Sequence, residues 1–223
     1  MSLFTKELIN SCTTLIFDLD GTILDSMKVW GEVDEIFLSK RSLKVTPEYV
    51  EGIKCRSIYQ GALFTIELFG LDETPEAVVE EWENLVADKY SNEILLKEGV
   101  KDFLFYAKSK GLKICLATAS SRKNSANALR NNGVLELFDH LLTLDDFEGE
   151  INKHNPDIFL KAMNLTGETD TSKCIVFEDV LGAIEGANKA GFKTVIVFDE
   201  LSQKAYDEAT HIADFEIKNW KNV

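Results

Sequence analysis

The sequence predicts an α/β fold in which a parallel sheet carries helices on both faces and an all-helical cap is inserted after the first strand. Three observations lead to this prediction. A single strand-like segment lies near the N-terminus, a purely helical stretch follows it, and strand-like and helix-like segments then alternate to the end of the chain. Such alternation is typical of right-handed β-α-β units that share one parallel sheet.

The first strand is predicted at residues 13–18, with the sequence TTLIFD. This short run is apolar and rich in β-branched residues, which is typical of a strand buried on both faces. It ends at Asp18, and after one leucine a second carboxylate follows at Asp20, directly before Gly21. Two like charges at the end of a buried strand are unfavourable unless another group compensates them.

The stretch after this strand shows only helical periodicity. It predicts three helices, at residues 27–40, 56–70 and 75–90. Thr74 and Pro75 are residue types that favour the N-cap and the first turn of the third helix. Because no strand pattern interrupts this stretch, we expect it to form a separate helical unit.

The insertion therefore predicts two domains. The α/β core comprises residues 1–24 and 93–223, and the helical cap comprises residues 25–92. Asp25 and Ser26 stand at the first junction, where we expect them to act as a hinge and as the N-cap of the first cap helix.

Strands and helices alternate after residue 99. Strands are predicted at 113–118, 140–144, 174–179 and 193–198, with a last short strand near 210–215. Helices are predicted at 100–109, 122–132, 156–164, 181–190 and 202–209. Together these segments predict a Rossmann-like core. In the helix at 181–190, Gly182 and Gly186 are expected to allow close packing against the sheet.

Composition narrows the function classes. The chain has 223 residues, of which 45% are hydrophobic, and this is enough for one sizeable core or for one core with a small satellite domain. The formal net charge of −14 and the lack of a Lys/Arg-rich run argue against nucleic acids and anionic membranes as partners. No apolar stretch reaches the roughly 20 residues of a membrane span, and the N-terminus lacks the apolar region of a signal peptide.

The four cysteines predict a reducing environment. Cys12, Cys55, Cys115 and Cys174 form no C-x-x-C pair. Cys115 and Cys174 lie in predicted strands, where a reduced cysteine acts as a small apolar residue. A disulfide framework is therefore not expected, and we predict a cytoplasmic location.

Polar side chains occur where several predicted strands end. They are Asp18 and Asp20 after the first strand, Thr118 at the end of the second, the Glu178–Asp179 pair, and Lys153 just before a helix. Because ligands of an open α/β sheet bind beyond the carboxyl ends of its strands, we expect these groups to share one cleft.

Four carboxylates in one cleft require a cation. At about 4 Å and an effective dielectric constant near 20, each pair of like charges costs about 4 kcal/mol. Carboxylate oxygens are the ligands that Mg²⁺ prefers, while Lys153 and Thr118 suit an oxyanion such as phosphate. A calcium loop is a poorer reading of the D-x-D-G sequence, because Ile23 and Leu24 stand where further ligands are needed.

At this point the sequence resembles the haloacid dehalogenase-like hydrolase superfamily. The four matching motifs are DLDGT at 18–22, Thr118 after an apolar strand, Lys153, and EDVLGAIEGA from Glu178. The helical insert of about 65 residues resembles the subgroup that includes phosphoglycolate phosphatase and β-phosphoglucomutase. The resemblance covers essentially the whole chain and implies an Mg²⁺-dependent phosphatase of small phosphorylated metabolites.

The resemblance also implies the role of each residue. Asp18 would attack phosphorus and form an aspartyl-phosphate, and Asp20 would protonate the leaving alkoxide and then activate water. Mg²⁺ would be held by the carboxylates of Asp18 and Asp179 and the backbone carbonyl of Asp20, with Glu178 close by. The substrate-binding set would comprise Asp18, Gly21 at a sharp turn, Thr118, the backbone of Ala119, and Lys153.

Two questions stay open from the sequence. Mutases of this type carry a histidine early in the cap, and the corresponding position here is Trp30, which weakens the alternative of a β-phosphoglucomutase-like phosphohexose mutase. Arg56 lies where cap residues of the family reach the substrate, but it could equally be a surface residue that opens a helix.

A third hypothesis is a binding protein that keeps the fold without the chemistry. It would tolerate the loss of Asp20 or Lys153, and both residues are present. We therefore expect an enzyme that acts on a small phosphorylated molecule. We also expect the protein to be a monomer.

Overall fold

The computed structural model describes residues 2–54, 56–147 and 152–223, and over these residues seven strands form one parallel sheet. The strands are β1 (Ser2–Leu3), β2 (Thr14–Phe17), β3 (Lys113–Thr118), β4 (His140–Thr143), β5 (Cys174–Glu178), β6 (Lys193–Val197) and β7 (Phe215–Ile217). Their order across the sheet is β1-β7-β6-β5-β2-β3-β4. The predicted Rossmann-like sheet is confirmed, and its last strand begins at Phe215, at the very end of the predicted interval.

The helices of the described residues are α1 (Met27–Ser39), α2 (Pro47–Ile53), α3 (Ile58–Phe69), α4 (Pro75–Asn92), α5 (Val100–Ser109), α6 (Arg122–Asn131), α7 (Asp157–Leu165), α8 (Leu181–Lys189) and α9 (Gln203–Ala209). Helices α1–α4 follow β2 and precede α5, as the helical periodicity predicts. The short helix α2 and the two-residue strand β1 were not expected from the sequence. The division into a core and a cap at residues 25 and 92 remains a prediction.

Strand β2 holds the central position of the site because it pairs with β3 on one side and β5 on the other. In this register Phe17 lies beside Leu116 and Phe177, so the residues that follow all three strands meet at one edge. The ring of Phe17 stacks on that of Phe177 at 4.5 Å between centroids, and Trp220 packs against both. This aromatic packing holds the carboxyl end of β2 rigidly in place.

Ser26 occupies the N-cap position of α1 as predicted, but its side chain does not cap the helix. The side chain accepts no hydrogen bond from the first turn. Its hydroxyl instead donates to Asp20 Oδ1 at 2.5 Å. Ser26 has nearly helical backbone angles (φ −114°, ψ −10°) rather than the extended angles of a capping serine, so its oxygen does not accept from the N–H groups of the first turn. By contrast, Thr74 accepts from the Ala77 N–H and caps α4 as predicted.

The two small residues of α8 face a loop rather than the sheet, which corrects the expectation for them. A Cβ atom on Gly186 would lie 2.4 Å from the carbonyl oxygen of Lys153, and one on Gly182 would lie 2.0 Å from the ring of His154. The residues that flank the glycines, Ala183 and Ala187, lie in the core cluster instead. The glycines therefore admit the loop that carries Lys153.

Two further expectations concern cysteines and membranes. Cys12, Cys115 and Cys174 are buried and form no disulfide, whereas Cys55 lies outside the described residues. Among the helices that the structure describes, none combines the length and the apolar composition that crossing a membrane requires.

Candidate active site

Asp18 lies directly after β2 and is buried at the carboxyl edge of the sheet. Its backbone N–H donates to Phe177 O at 3.0 Å, which continues the β2–β5 ladder by one residue. Its carboxylate accepts a hydrogen bond from the ammonium of Lys153, which also donates to Glu178 Oε1 at 2.6 Å. All three of these charged groups are buried, so they interact with little screening by water.

The electrostatic balance around Lys153 follows from this geometry. Burial by itself would lower the pKa of the Lys153 ammonium, but the charges of Asp18 and Glu178 outweigh burial and raise the pKa. The ammonium therefore stays charged and neutralises one of the two carboxylates that it contacts. An ammonium has three N–H donors, and two of them are used by Asp18 and Glu178, so a third could donate to an oxyanion next to Asp18.

A cluster of three carboxylates forms beside this lysine. One oxygen each from Asp18, Glu178 and Asp179 lies within 4.8 Å of the others, and all three residues are buried. Burial raises the pKa of both Glu178 and Asp179, and the neighbouring charge of Asp18 raises them further. Because Lys153 compensates only one negative charge, the chemistry and spacing of this oxygen donor set fit a hard divalent cation such as Mg²⁺.

Asp179 is held in place by two hydroxyl groups and a glycine. Ser202 Oγ donates to Asp179 Oδ2 at 3.2 Å, and Thr22 Oγ1 donates to Asp179 Oδ1 at 3.5 Å. Gly21 adopts a φ of +77°, and a Cβ atom there would lie 2.4 Å from Asp179 Oδ2. Two reasons therefore favour glycine at this position of the turn: the positive φ angle, and the lack of space for a Cβ atom beside the Asp179 carboxylate.

The side chain of Asp20 does not join the three-carboxylate cluster. Its Oδ1 accepts hydrogen bonds from Ser26 and Tyr90, and its Oδ2 accepts one from Ser120. Burial raises the pKa of Asp20, whereas the three hydroxyl donors lower it. The two carboxylates of the opening motif therefore lie in different surroundings, one beside a lysine and the other among hydroxyl groups.

The indole of Trp30 extends this hydroxyl network. Trp30 Nε1 donates to the phenolic oxygen of Tyr90 at 2.7 Å, and Tyr90 in turn donates to Asp20. Burial and the charge of Asp20 raise the pKa of Tyr90, so the phenol keeps its hydrogen. Sequence reasoning missed Tyr90, Ser26 and Ser120 as parts of the site. Only Ser120 carried a signal, because it lies two residues after Thr118.

Thr118 ends β3 and is buried at the same edge. Its Oγ1 accepts from the Ser120 N–H at 3.1 Å, so its own hydroxyl hydrogen stays available to an oxyanion. Ala119 lies between them and is half-buried, at the start of the turn into α6. The structure therefore brings the backbone after β3 to the edge where Asp18 and Lys153 lie.

Arg56 lies near the site through its backbone, which forms a single antiparallel bridge with Asn152 next to Lys153. Its guanidinium stacks over the ring of Phe64 at 4.6 Å from the centroid. A role for Arg56 in substrate binding stays a prediction from the sequence.

Helix α4 packs along α6. Asn124 Nδ2 donates to Glu83 Oε2 at 2.9 Å, and Asn127 Nδ2 donates to Ser91 Oγ at 3.3 Å. With the hydrogen bond from Tyr90 to Asp20, these contacts join α4 both to α6 and to the turn after β2. The arrangement joins a carboxylate beside an ammonium, a carboxylate cluster whose oxygens could hold a cation, and a separate carboxylate among hydroxyl groups, a combination that suits phosphoryl transfer.

Comparison with known proteins agrees with this chemistry. Residues 15–197 match the family model described as haloacid dehalogenase-like hydrolase. The chain is 28% identical over 220 residues to (DL)-glycerol-3-phosphatase 2 of Arabidopsis thaliana, with 94% of this chain and 91% of that protein covered. It is 26% identical over 210 residues to a phosphorylated carbohydrates phosphatase of Thermotoga maritima, with 89% and 92% covered.

A solved structure shows the same fold. The β-phosphoglucomutase of Clostridium difficile superposes with a TM-score of 0.77 at 23% identity, with 95% of this chain and 93% of that chain covered. At this level of identity the likeness concerns the fold alone.

Proposed function

The chain belongs to the haloacid dehalogenase-like hydrolase family and is a phosphoric monoester hydrolase, and from that premise we propose a more specific activity. It is an Mg²⁺-dependent phosphatase that hydrolyses small phosphorylated metabolites, such as sugar phosphates, through an aspartyl-phosphate on Asp18. The observation that carries the proposal is the separation of the two motif carboxylates. Asp18 lies beside Lys153 and the carboxylate cluster, whereas Asp20 lies among hydroxyl groups.

The first half-reaction uses both carboxylates. Asp18 attacks phosphorus while Lys153 and Thr118 hold the phosphoryl oxygens, and the bond from phosphorus to the ester oxygen breaks. Asp20 gives its proton to the departing alkoxide, which leaves as the alcohol. Without a proton donor at this position, an alkoxide would be a poor leaving group.

The second half-reaction returns the enzyme to its starting state. Asp20, now ionised, takes a proton from a water molecule as the water attacks phosphorus. The bond between phosphorus and Asp18 breaks, inorganic phosphate leaves, and Asp20 is protonated again. The same carboxyl group thus acts first as an acid and then as a base.

We assign the metal to the carboxylates of Asp18 and Asp179 and the backbone carbonyl of Asp20, with Glu178 close by. When bound, Mg²⁺ neutralises charge on the transferring phosphoryl group. Support comes from the buried carboxylate cluster, in which Lys153 compensates only part of the negative charge.

The substrate class is proposed from the relatives and from the chemistry of the site. One of the two relatives is named a glycerol-3-phosphatase and the other a phosphatase of phosphorylated carbohydrates. A mutase is supported less well, because Trp30 offers an N–H donor but no base, and that donor is already bonded to Tyr90. The cytoplasmic location and the monomeric state stay predictions of the sequence.

A substrate screen tests the proposal. The purified protein with Mg²⁺ should release inorganic phosphate from p-nitrophenyl phosphate and from at least one sugar or polyol phosphate. Asp18→Asn should abolish release, whereas Asp102→Asn, an exposed change of the same kind on α5, should not. Turnover without a divalent metal, an active Asp18→Asn variant, or net isomerisation of a hexose phosphate without phosphate release would contradict it.

A further inference from the structure

The phenol of Tyr90 is the one hydroxyl group on Asp20 that comes from helices α1–α4, among the hydrogen bonds of the described residues. Ser26 precedes α1 and Ser120 follows β3, whereas Tyr90 lies near the end of α4. Tyr90 is buried, and its ring packs edge-on against Trp30 at 6.1 Å between centroids. The position of Asp20 therefore depends on a residue 70 positions away in the sequence.

The direction of this hydrogen-bond chain is fixed by Trp30. An indole N–H can only donate, so it occupies a lone pair of the Tyr90 oxygen and leaves the phenolic hydrogen for Asp20. The Tyr90 hydroxyl group therefore acts as the donor, and Asp20 Oδ1 acts as the acceptor. Ser120, on Oδ2, has a hydroxyl that can rotate and either donate or accept. Oδ1 therefore accepts two hydrogen bonds, whereas Oδ2 accepts only the one from Ser120 and is the less occupied oxygen of Asp20.

We propose that Tyr90, oriented by Trp30, is a positioning residue that holds Asp20 for delivery of a proton to the leaving oxygen. Asp20 carries the proton on Oδ2 and gives it to the alkoxide as the phosphorus–oxygen bond breaks. The inference rests on the proposed function, because it requires Asp20 to be the acid. It predicts that loss of the Tyr90 hydroxyl group lowers kcat/KM more for esters whose leaving group needs a proton than for esters whose leaving group does not.

Two classes of ester separate this role from a general effect on folding. Nitrophenolate is a stable anion that leaves without a proton, whereas the alkoxides of glycerol 3-phosphate and glucose 6-phosphate need one. The ratio kcat/KM is the appropriate measure, because it covers the steps up to departure of the leaving group. Tyr90→Phe keeps the buried ring and removes only the hydroxyl group.

We expect Tyr90→Phe to lower kcat/KM for the alkyl phosphates about tenfold or more, within the range of acid catalysis, and for p-nitrophenyl phosphate less than about threefold. Trp30→Phe should lower the same alkyl-to-aryl ratio by a smaller factor, and it serves as the second variant if Tyr90→Phe does not fold. The matched control is Tyr49→Phe, since Tyr49 is also buried and donates to a single carboxylate, Asp34, at 2.7 Å. It should leave the ratio unchanged.

An equal loss on both classes of ester in Tyr90→Phe, or a ratio equal to that of Tyr49→Phe, would overturn the inference while leaving the phosphatase assignment intact. Wild-type hydrolysis of the aryl ester alone would also overturn it, because no alkoxide would then be protonated. If the wild-type protein hydrolyses neither class, the proposed function falls and this inference with it.

Discussion

Gly186 lies so close to Lys153 that a Cβ atom on the glycine would be 2.4 Å from the lysine's carbonyl oxygen. The contact is with backbone, which cannot move aside as a flexible side chain can. Helix α8 therefore limits how close the loop that carries Lys153 can lie, and this loop brings the Lys153 ammonium to Asp18 and Glu178. The spacing of two small residues on one helix thus bears directly on the chemistry.

Replacing this glycine should damage the site more than the fold. We expect Gly186→Ala to push the Lys153 loop outward and lower kcat/KM by about tenfold or more, because small misplacements of catalytic groups are costly. Gly31→Ala is the matched control, since Gly31 also lies within a helix and has nothing within 4 Å of the added Cβ. It should retain activity and gain up to about 1 kcal/mol in stability. Equal activity in the two variants would contradict the close approach.

Lys153 should be needed for activity, and it should also be needed for stability when no metal is bound. Lys153→Met removes the cation that separates Asp18 from Glu178, and breaking such a buried pair typically costs about 3–5 kcal/mol. We expect at least a hundredfold loss of kcat/KM, and a melting temperature that is low in EDTA and rises more with Mg²⁺ than that of the wild type. The exposed change Lys173→Met is the control. An unchanged melting temperature in EDTA would argue against the buried pairs.

A divalent metal should stabilise the protein through the carboxylate cluster. At a hundredfold excess over Kd, bound Mg²⁺ should add about 2.7 kcal/mol, or roughly 5–10 °C in melting temperature. Asp179→Asn should greatly reduce this shift, because Asp179 is one of the three converging carboxylates. The control Asp102→Asn makes the same change in charge on an exposed surface and should keep the shift. Calorimetric melts in EDTA and in Mg²⁺ would measure it, and an equal shift in both variants would place the metal elsewhere.

The pair of Asp34 and Tyr49 should make stability fall as pH rises. Burial raises the pKa of Asp34 to about 6, although the hydrogen bond from Tyr49 partly opposes this. Between about pH 4 and pH 6 the unfolded chain loses this proton while the folded chain keeps it, so unfolding becomes more favourable. The charge then costs stability at neutral pH and nothing below about pH 4.

Asp34→Asn should therefore stabilise the protein at pH 7.5 and have little effect near pH 4. The pKa of about 6 sets a ceiling of about 3 kcal/mol, and partial exposure to solvent reduces the expected gain to roughly 1 kcal/mol. Asn retains an oxygen that can accept from Tyr49. Thermal melts across this pH range, with Asp102→Asn as the control for net charge, would measure the effect. A gain that is the same at both pH values would refute the assignment.

The sequence by itself determined the fold class and most of the residues at the carboxyl edge of the sheet. The run from residue 13 to Gly21 is local, so its apolar strand, its two carboxylates and its turn could be recognised directly. Thr118 and Lys153 followed from topology, because parallel strands end at the same edge. The two-residue strand β1 and the seven-residue helix α2 are too short for periodicity to detect.

Only the tertiary structure decided how the two carboxylates of the opening motif differ. Asp20 and Tyr90 are 70 residues apart in the sequence. The helical periodicity of α4 does not indicate that the Tyr90 hydroxyl group contacts this carboxylate. Likewise, the sequence of α8 shows that Gly182 and Gly186 are small, but it does not show that they face the loop that carries Lys153. Residue types along the chain determine which groups are available, whereas the rotation and packing of helices determine which of them meet. Hydrogen bonds form only within about 3 Å, so that last step belongs to the folded molecule.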